Sequence, residues 1–139
     1  INLVQTAEGG LNEQNNILIR LRELSVYAAS DTVDDAEREF LDNEFQQLVA
    51  EFDRIAKSTR YGNKNLLTGT GEEFEFQVGA YKGPENVIRF SLDADTTASD
   101  VDIEGLTISD QDDALDTLET IDSAIYKVAG TRAEFGALQ

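Results

Sequence analysis

Histidine, cysteine, methionine and tryptophan are all absent from this 139-residue chain, and proline occurs once. Each absence removes chemistry. Without cysteine there is no disulfide and no thiolate nucleophile. Without histidine the commonest general base, the usual metal ligand and the neutral-pH charge switch are gone. Basic residues are scarce, 11 against 28 acidic ones, for a net charge of −17. Such a balance repels phosphate backbones and anionic bilayers, so neither nucleic acid nor a membrane is expected as a partner. No apolar run is long enough to span a bilayer. There is no glycine-rich phosphate loop either, so neither an enzyme nor a cofactor is expected. Methionine is missing even at position 1, and the chain begins and ends inside helical periodicity. It is therefore expected to be a monomeric fragment of a longer protein.

What remains suits a folded chain with a real core, 40% hydrophobic and 28% charged. Residues 1–30 contain no proline, and Val4, Ala7, Leu11, Leu18, Leu21, Ser25 and Ala28 recur in alternating steps of four and three, with Gln14 in the one polar slot. That spacing is the seam of a long helix packed along partners. A second helix is expected over residues 33–57, with Thr32 as N-cap, Asp35 completing a capping box and Asp34 favouring the positive N-terminus. Its apolar positions are Ala36, Phe40, Leu41, Phe45, Leu48, Val49, Phe52, Ile55 and Ala56, and Gly62 is the expected stop. A short link makes the two helices an antiparallel hairpin.

The pattern then changes. Phe74, Phe76 and Val78, and again Ile88, Phe90 and Leu92, alternate with polar residues at the strand period. Residues 79–86 read as the hairpin loop between them, and Asn65-Leu66-Leu67 as a third short strand, giving a β region over about 65–92. Residues 93–108 are acidic and weakly patterned, an expected solvated link. Ser109, with Asp112, is the expected N-cap of a third helix over 110–139, whose stripe is Ala114, Leu118, Ile121, Ile125, Val128, Arg132 and Phe135. The fold expected is mainly α with a small β-hairpin region: one elongated antiparallel bundle of three long helices, packed with a short sheet as a single rod over 1–139.

Two weaker signals carry little. Asp93, Asp95 and Glu104 occupy positions one, three and twelve of a calcium-loop pattern, but Ala98 stands where that loop needs glycine and Thr97 at position five. Adjacent carboxylates such as Asp34-Asp35, Glu72-Glu73 and Asp112-Asp113 lie at helix starts or turns, not as two differently placed acids in a cleft. No metal site is expected.

Four stretches together resemble one family. They are QTAEGGLNEQNNILIRLRELSVYAAS in the first helix, EFQQLVAEFDRIAKSTRYGNKNLLTG in the second, FQVG at 76–79, and ALDTLETIDSAIYKVAGTRAEFGALQ in the last. In that order they resemble bacterial flagellin, in the rod-shaped D1 domain without the D0 segments of the filament core. The resemblance implies a secreted, extracellular structural protein. It would be exported through the flagellar apparatus, self-assemble with other flagellin subunits for motility, and act as a ligand of the vertebrate flagellin-sensing toll-like receptor. It also implies that Arg20, Leu24 and Glu51 contact the receptor, within a receptor and subunit interface that includes Arg22 and Glu23. Ile19 and Tyr27 depart from the family pattern beside this patch. From periodicity alone, Arg20 and Arg22 are solvated helix charges and Leu24 a core or helix-contact residue. The alternatives are a hook–filament junction protein, a flagellin relative with similar terminal helices, and a calcium-binding coiled-coil module.

Overall fold

The computed structural model describes residues 2–77 and 87–138. It contains three helices, α1 (Asn2–Ala28), α2 (Asp35–Ser58) and α3 (Gln111–Gly136), and four short strands, β1 (Arg60–Tyr61), β2 (Lys64–Asn65), β3 (Glu72–Gln77) and β4 (Val87–Leu92). α1 packs along both other helices. Its expected seam is the observed one: Val4, Ala7, Leu11, Gln14, Leu18, Leu21, Ser25 and Ala28 are all at most 2% exposed. Burying each seam leucine contributes about 2 kcal/mol, so packing holds this helix together more than its end residues do. α1 has neither an acidic first turn nor a basic last turn of its own.

The polar members of the seam are mostly satisfied. Ser25 Oγ donates to Leu21 O at 2.8 Å. Gln14 Nε2 donates to Phe52 O at 3.1 Å and to Thr96 O at 2.9 Å, tying α1 to α2 and to the link after β4. Gln14 Oε1 and Thr96 Oγ1 are buried without a partner.

Both helix starts differ from expectation in the same way. α2 is capped by Asp34, whose carboxylate accepts from Glu37 N at 2.8 Å, not by Thr32. α3 is capped by Asp110, which accepts from Asp113 N at 2.8 Å, not by Ser109. The expected hydroxyls are engaged one turn earlier, Thr32 with Ser30 at 2.9 Å and Ser109 with Thr107 at 3.0 Å. A carboxylate one or two residues later then takes the cap. Of the acids expected to complete the capping boxes, Asp35 pairs with Arg38 at 2.9 Å and Asp112 is exposed.

The seams of α2 and α3 are shifted slightly from the expected stripes. In α2 the buried apolar residues are Phe45, Val49, Phe52, Ile55 and Ala56, Leu41 and Leu48 flank them, and Phe40 is 76% exposed. In α3 the buried line is Ala114, Thr117, Ile121, Ala124, Val128 and Phe135. Thr117 and Ala124 take the central positions given above to Leu118 and Ile125; Ile125 packs at the margin, Leu118 is half-buried, and Arg132 is exposed. Small residues on the centre line let two helices approach closely while larger ones fill the sides.

α2 ends at Ser58 with Thr59 as its cap, and Gly62 lies in the turn between β1 and β2 at φ +64°, a left-handed conformation that glycine adopts without strain. β1 and β2 form one antiparallel pair and β3 and β4 another; of the third strand expected at 65–67 only Asn65 lies in a strand, paired in the first ladder, and Leu66 and Leu67 follow it as a bend. Within the second pair the backbone register sets Phe74 opposite Phe90 and Phe76 opposite Ile88. Val78 and the expected loop at 79–86 lie outside the described residues.

The largest correction concerns residues 93–108. They are not a solvated link: Ala94, Thr96, Ala98, Val101, Ile103 and Ile108 are each at most 7% exposed. The segment runs between α2 and α3 and is tied to both. Asp53 accepts from Ala98 N at 2.9 Å, Asp42 from Ile108 N at 3.0 Å, and Gln46 Nε2 donates to Leu106 O at 2.8 Å. On the α3 side Thr117 Oγ1 donates to Thr107 O at 3.0 Å and Lys127 pairs with Asp102 at 2.8 Å. Its acids Asp93, Asp100, Asp102 and Glu104 face solvent, while the small apolar residues between them complete the core.

Candidate functional site

The residues marked out in the first helix do not share one face. Arg20 and Arg22 are two positions apart, which on a helix is a turn of about 200°. Arg20 lies on the ridge between α1 and α2. Its Nε donates to Glu44 Oε2 at 2.8 Å, one terminal nitrogen to Glu44 Oε1 at 3.2 Å, and the other to Glu23 Oε2 at 3.2 Å. The hydrogen bonds it donates to Glu44 first, and then to Glu23, hold the guanidinium pKa above its ordinary value. A two-pronged arginine–carboxylate pair fixes geometry better than a single contact. At 48% and 44% side-chain exposure, however, the Arg20–Glu44 pair adds at most about 1 kcal/mol to stability.

Glu51 lies on the same ridge further along α2. Arg54 Nε donates to Glu51 Oε2 at 2.8 Å. That hydrogen bond holds the Glu51 carboxyl below its usual range, and Glu13 of α1 adds to the field at Arg54. Arg20, Glu23, Glu44, Glu51 and Arg54 thus form a row of two arginines and three acids along one side of the bundle.

Arg22 belongs to the other side. It pairs with Asp122 of α3 at 2.8 Å, with both side chains about half exposed. Around it, Ile19, Val26, Leu115 and Tyr126 are exposed at 45%, 47%, 50% and 84%. Leu24 is 2% exposed and sits in the core, so it offers no surface and instead supports the ridge from beneath. Tyr27, by its spacing from Arg20 and Glu23, shares their face of the helix and is 56% exposed.

Two contacts, one buried and one part-buried, leave almost no mark in the sequence, and both close the C-terminal end of α1. Arg38 of α2 is 7% exposed and donates to Ala28 O at 2.7 Å and Ser30 O at 2.8 Å. Gln111 of α3 donates to Ala29 O at 2.9 Å. α1 has no basic residue in its last turn, and Arg38 supplies that positive charge from the neighbouring helix. The only sequence signal is an arginine on the inner face of α2, four residues past its N-cap.

Among the described residues no group of three or more carboxylates could hold a metal ion. Of the calcium-loop candidates, Asp95 turns its Oδ1 to Thr97 N at 3.0 Å and Thr97 Oγ1 at 2.7 Å. No helix among those residues is long and apolar enough to cross a membrane.

Residues 1–72 match the family model described as the bacterial flagellin N-terminal helical region. A flagellin from Halalkalibacterium halodurans is 36% identical over 140 residues, covering 100% of this chain and 51% of that protein. Flagellin A of Vibrio anguillarum is 43% identical over 83 residues, 60% of this chain and 22% of that one. The chain therefore spans about half the length of the first of these relatives and less of the second. The crystal structure of Bacillus cereus flagellin superposes with a TM-score of 0.84 at 28% identity, over 99% of this chain and 78% of that one. FliC from Burkholderia pseudomallei shares the fold at a TM-score of 0.78 and 19% identity, over 98% and 97% of the two chains. The family is one of structural proteins, not enzymes, and this chain belongs to it: it is a bacterial flagellin sequence.

Proposed function

We propose that this chain forms the helical shaft, a single rod over residues 1–139, of a subunit that builds the extracellular bacterial flagellar filament. On this reading the subunit leaves the cell through the flagellar export apparatus and packs against further flagellin subunits for motility. The observation that carries the reading is likeness along the whole chain, 36% identity over 140 residues together with a TM-score of 0.84 over 99% of the residues. The test is polymerisation. A chain extended to the length of its relatives should sediment as filaments under precipitating salt, and a soluble monomer under all such conditions would overturn the reading.

A second role is proposed beside it, that of a ligand for the vertebrate flagellin-sensing toll-like receptor. Its support is the exposed charged ridge of Arg20, Glu23 and Glu51, which presents oriented charges on a rigid helical pair. Arg22 would serve a subunit contact on the α3 side. Arg20→Glu combined with Glu51→Lys should reduce receptor-dependent reporter signalling by at least tenfold, as losing central charged contacts does. Unchanged signalling from a folded double variant would remove this role and leave the structural one standing.

A further inference from the structure

Two polar side chains meet inside the core of this chain. Gln14 of α1 and Thr96 of the link are both fully buried. Gln14 Nε2 donates to Phe52 O of α2 at 3.1 Å and to Thr96 O at 2.9 Å. Both amide protons are thereby used, and the orientation of the amide is fixed. Turned over, it would set its oxygen against two carbonyl oxygens. Thr96 N donates to Leu67 O at 2.9 Å, so the Thr96 backbone is engaged on both sides. What is left is one amide oxygen and one hydroxyl. Gln14 Oε1 and Thr96 Oγ1 have no partner among the described residues.

These two atoms lie at a junction of α1, α2 and the link. Leu11 and Leu18 flank Gln14 in the seam, and both are fully buried, as is Leu67. Gly10, one turn before Gln14, packs against Thr59 and Leu67. Gly69 N donates to Ala94 O at 2.8 Å, a second backbone tie between the residues after β2 and the link. Asn65 Oδ1 and Thr68 Oγ1 are unpaired too, but their residues are only half-buried. A buried polar group left unpaired raises the unfolding constant about fivefold to a hundredfold. Here two such groups, an acceptor and a donor, belong to residues already joined by a hydrogen bond. Neither carries charge and the surroundings are apolar, so an ion is a poor match. Water both accepts and donates, and buried waters characteristically join such groups.

We propose that Gln14 and Thr96 hold one internal water molecule, which accepts from Thr96 Oγ1 and donates to Gln14 Oε1. This inference goes beyond the filament reading and stands or falls without it. The water completes a polar node inside an otherwise apolar seam. Through it α1 grips the link twice, once directly at Thr96 O and once through the hydroxyl. Exchange of this water with solvent requires Thr96 to part from Gln14. Its residence time therefore reports how often the link lifts off the helices.

The test removes and restores the hydroxyl. Thr96→Val keeps the shape of the side chain without its hydroxyl, and Thr96→Ser keeps the hydroxyl. Magnetic relaxation dispersion of water oxygen counts the waters held inside the folded chain. Thr96→Val should hold about one fewer than the parent, and Thr96→Ser as many as the parent. Urea unfolding should show the unfolding constant of Thr96→Val raised about fivefold, because Gln14 Oε1 loses its bridge. A Thr96→Val variant with the parental water count overturns the proposal. So does one more stable than the parent, since removing a hydroxyl that never had a partner relieves a cost. Should Thr96→Val fail to fold, a high-resolution crystal structure of the parent decides. Water density bonded to both atoms supports the proposal, and a direct Thr96 Oγ1–Gln14 Oε1 bond, or no density, overturns it.

Discussion

Replacing Arg38 gives the sharpest test of how the helical hairpin is held. The side chain is 7% exposed and closes the end of α1 from α2. It makes two charged hydrogen bonds to backbone carbonyls, at 2.7 Å to Ala28 and 2.8 Å to Ser30. Hydrogen bonds from a charged group contribute about 1.5 kcal/mol each, or about 3 kcal/mol for the two. Its third partner, Asp35, is 79% exposed, so that pair adds at most about 0.5 kcal/mol. Arg38→Met keeps the apolar stem but leaves Ala28 O without a donor and Ser30 O with only the longer bond from Val33 N at 3.3 Å, and should cost about 2–3 kcal/mol in urea unfolding followed by circular dichroism. For a chain of this size that is a fall of about 10 °C in melting temperature. Arg38→Lys can reach one carbonyl and should lose about half as much. An Arg38→Met variant within about 0.5 kcal/mol of the parent, the range of an ordinary surface substitution, would refute this account of the turn.

Adjacent glycines in α1 should respond in opposite directions. A Cβ on Gly9 meets nothing within 4 Å, whereas one on Gly10 comes within 2.6 Å of Thr59 Oγ1. Thermal melts should show Gly9→Ala stabilised by about 0.5–1 kcal/mol and Gly10→Ala destabilised. Leu21 is fully buried, and Leu21→Ala should cost about 2–5 kcal/mol in the same melts. Burial pushes the Asp53 carboxyl up, but Lys57 and the Ala98 amide outweigh it, so the folded value lies below the ordinary one. That stability is present above the unfolded value and is lost as pH falls through the folded one. Asp53→Asn should therefore flatten the acid limb of a stability–pH profile, and an unchanged limb would show that Asp53 does not anchor the link. Ile103 is fully buried. Ile103→Ala should destabilise the fold by about 2–4 kcal/mol, whereas a truly solvated link would lose nothing.

The sequence was most readable where packing is periodic. Every seam position of α1 lies in the core, because a helix with partners on two sides must repeat its apolar residues at nearly every turn. α3 was less transparent, since Thr117 and Ala124 are poor hydrophobic signals yet sit at its centre, where small size matters more than apolarity. The packing of the link at 93–108 is hidden in the sequence for a related reason. Half of its buried residues are only Ala or Thr, and exposed acids stand between them. Cap assignment failed by one or two residues because Thr32 and Ser109 bond within the preceding turns, which local spacing does not reveal. Arg38 and Gln111 were invisible because each acts on a different helix. At the candidate interface, spacing already separates Arg20 from Arg22, and only the folded hairpin shows that Leu24 is covered.

The most direct test of the central claim is electron microscopy of this chain extended to the length of its flagellin relatives, under conditions that polymerise flagellin. The account predicts helical filaments in which density for α1, α2, α3 and the packed link forms a rod in every subunit. Particles without helical order, or filaments from which this rod is missing, would contradict it.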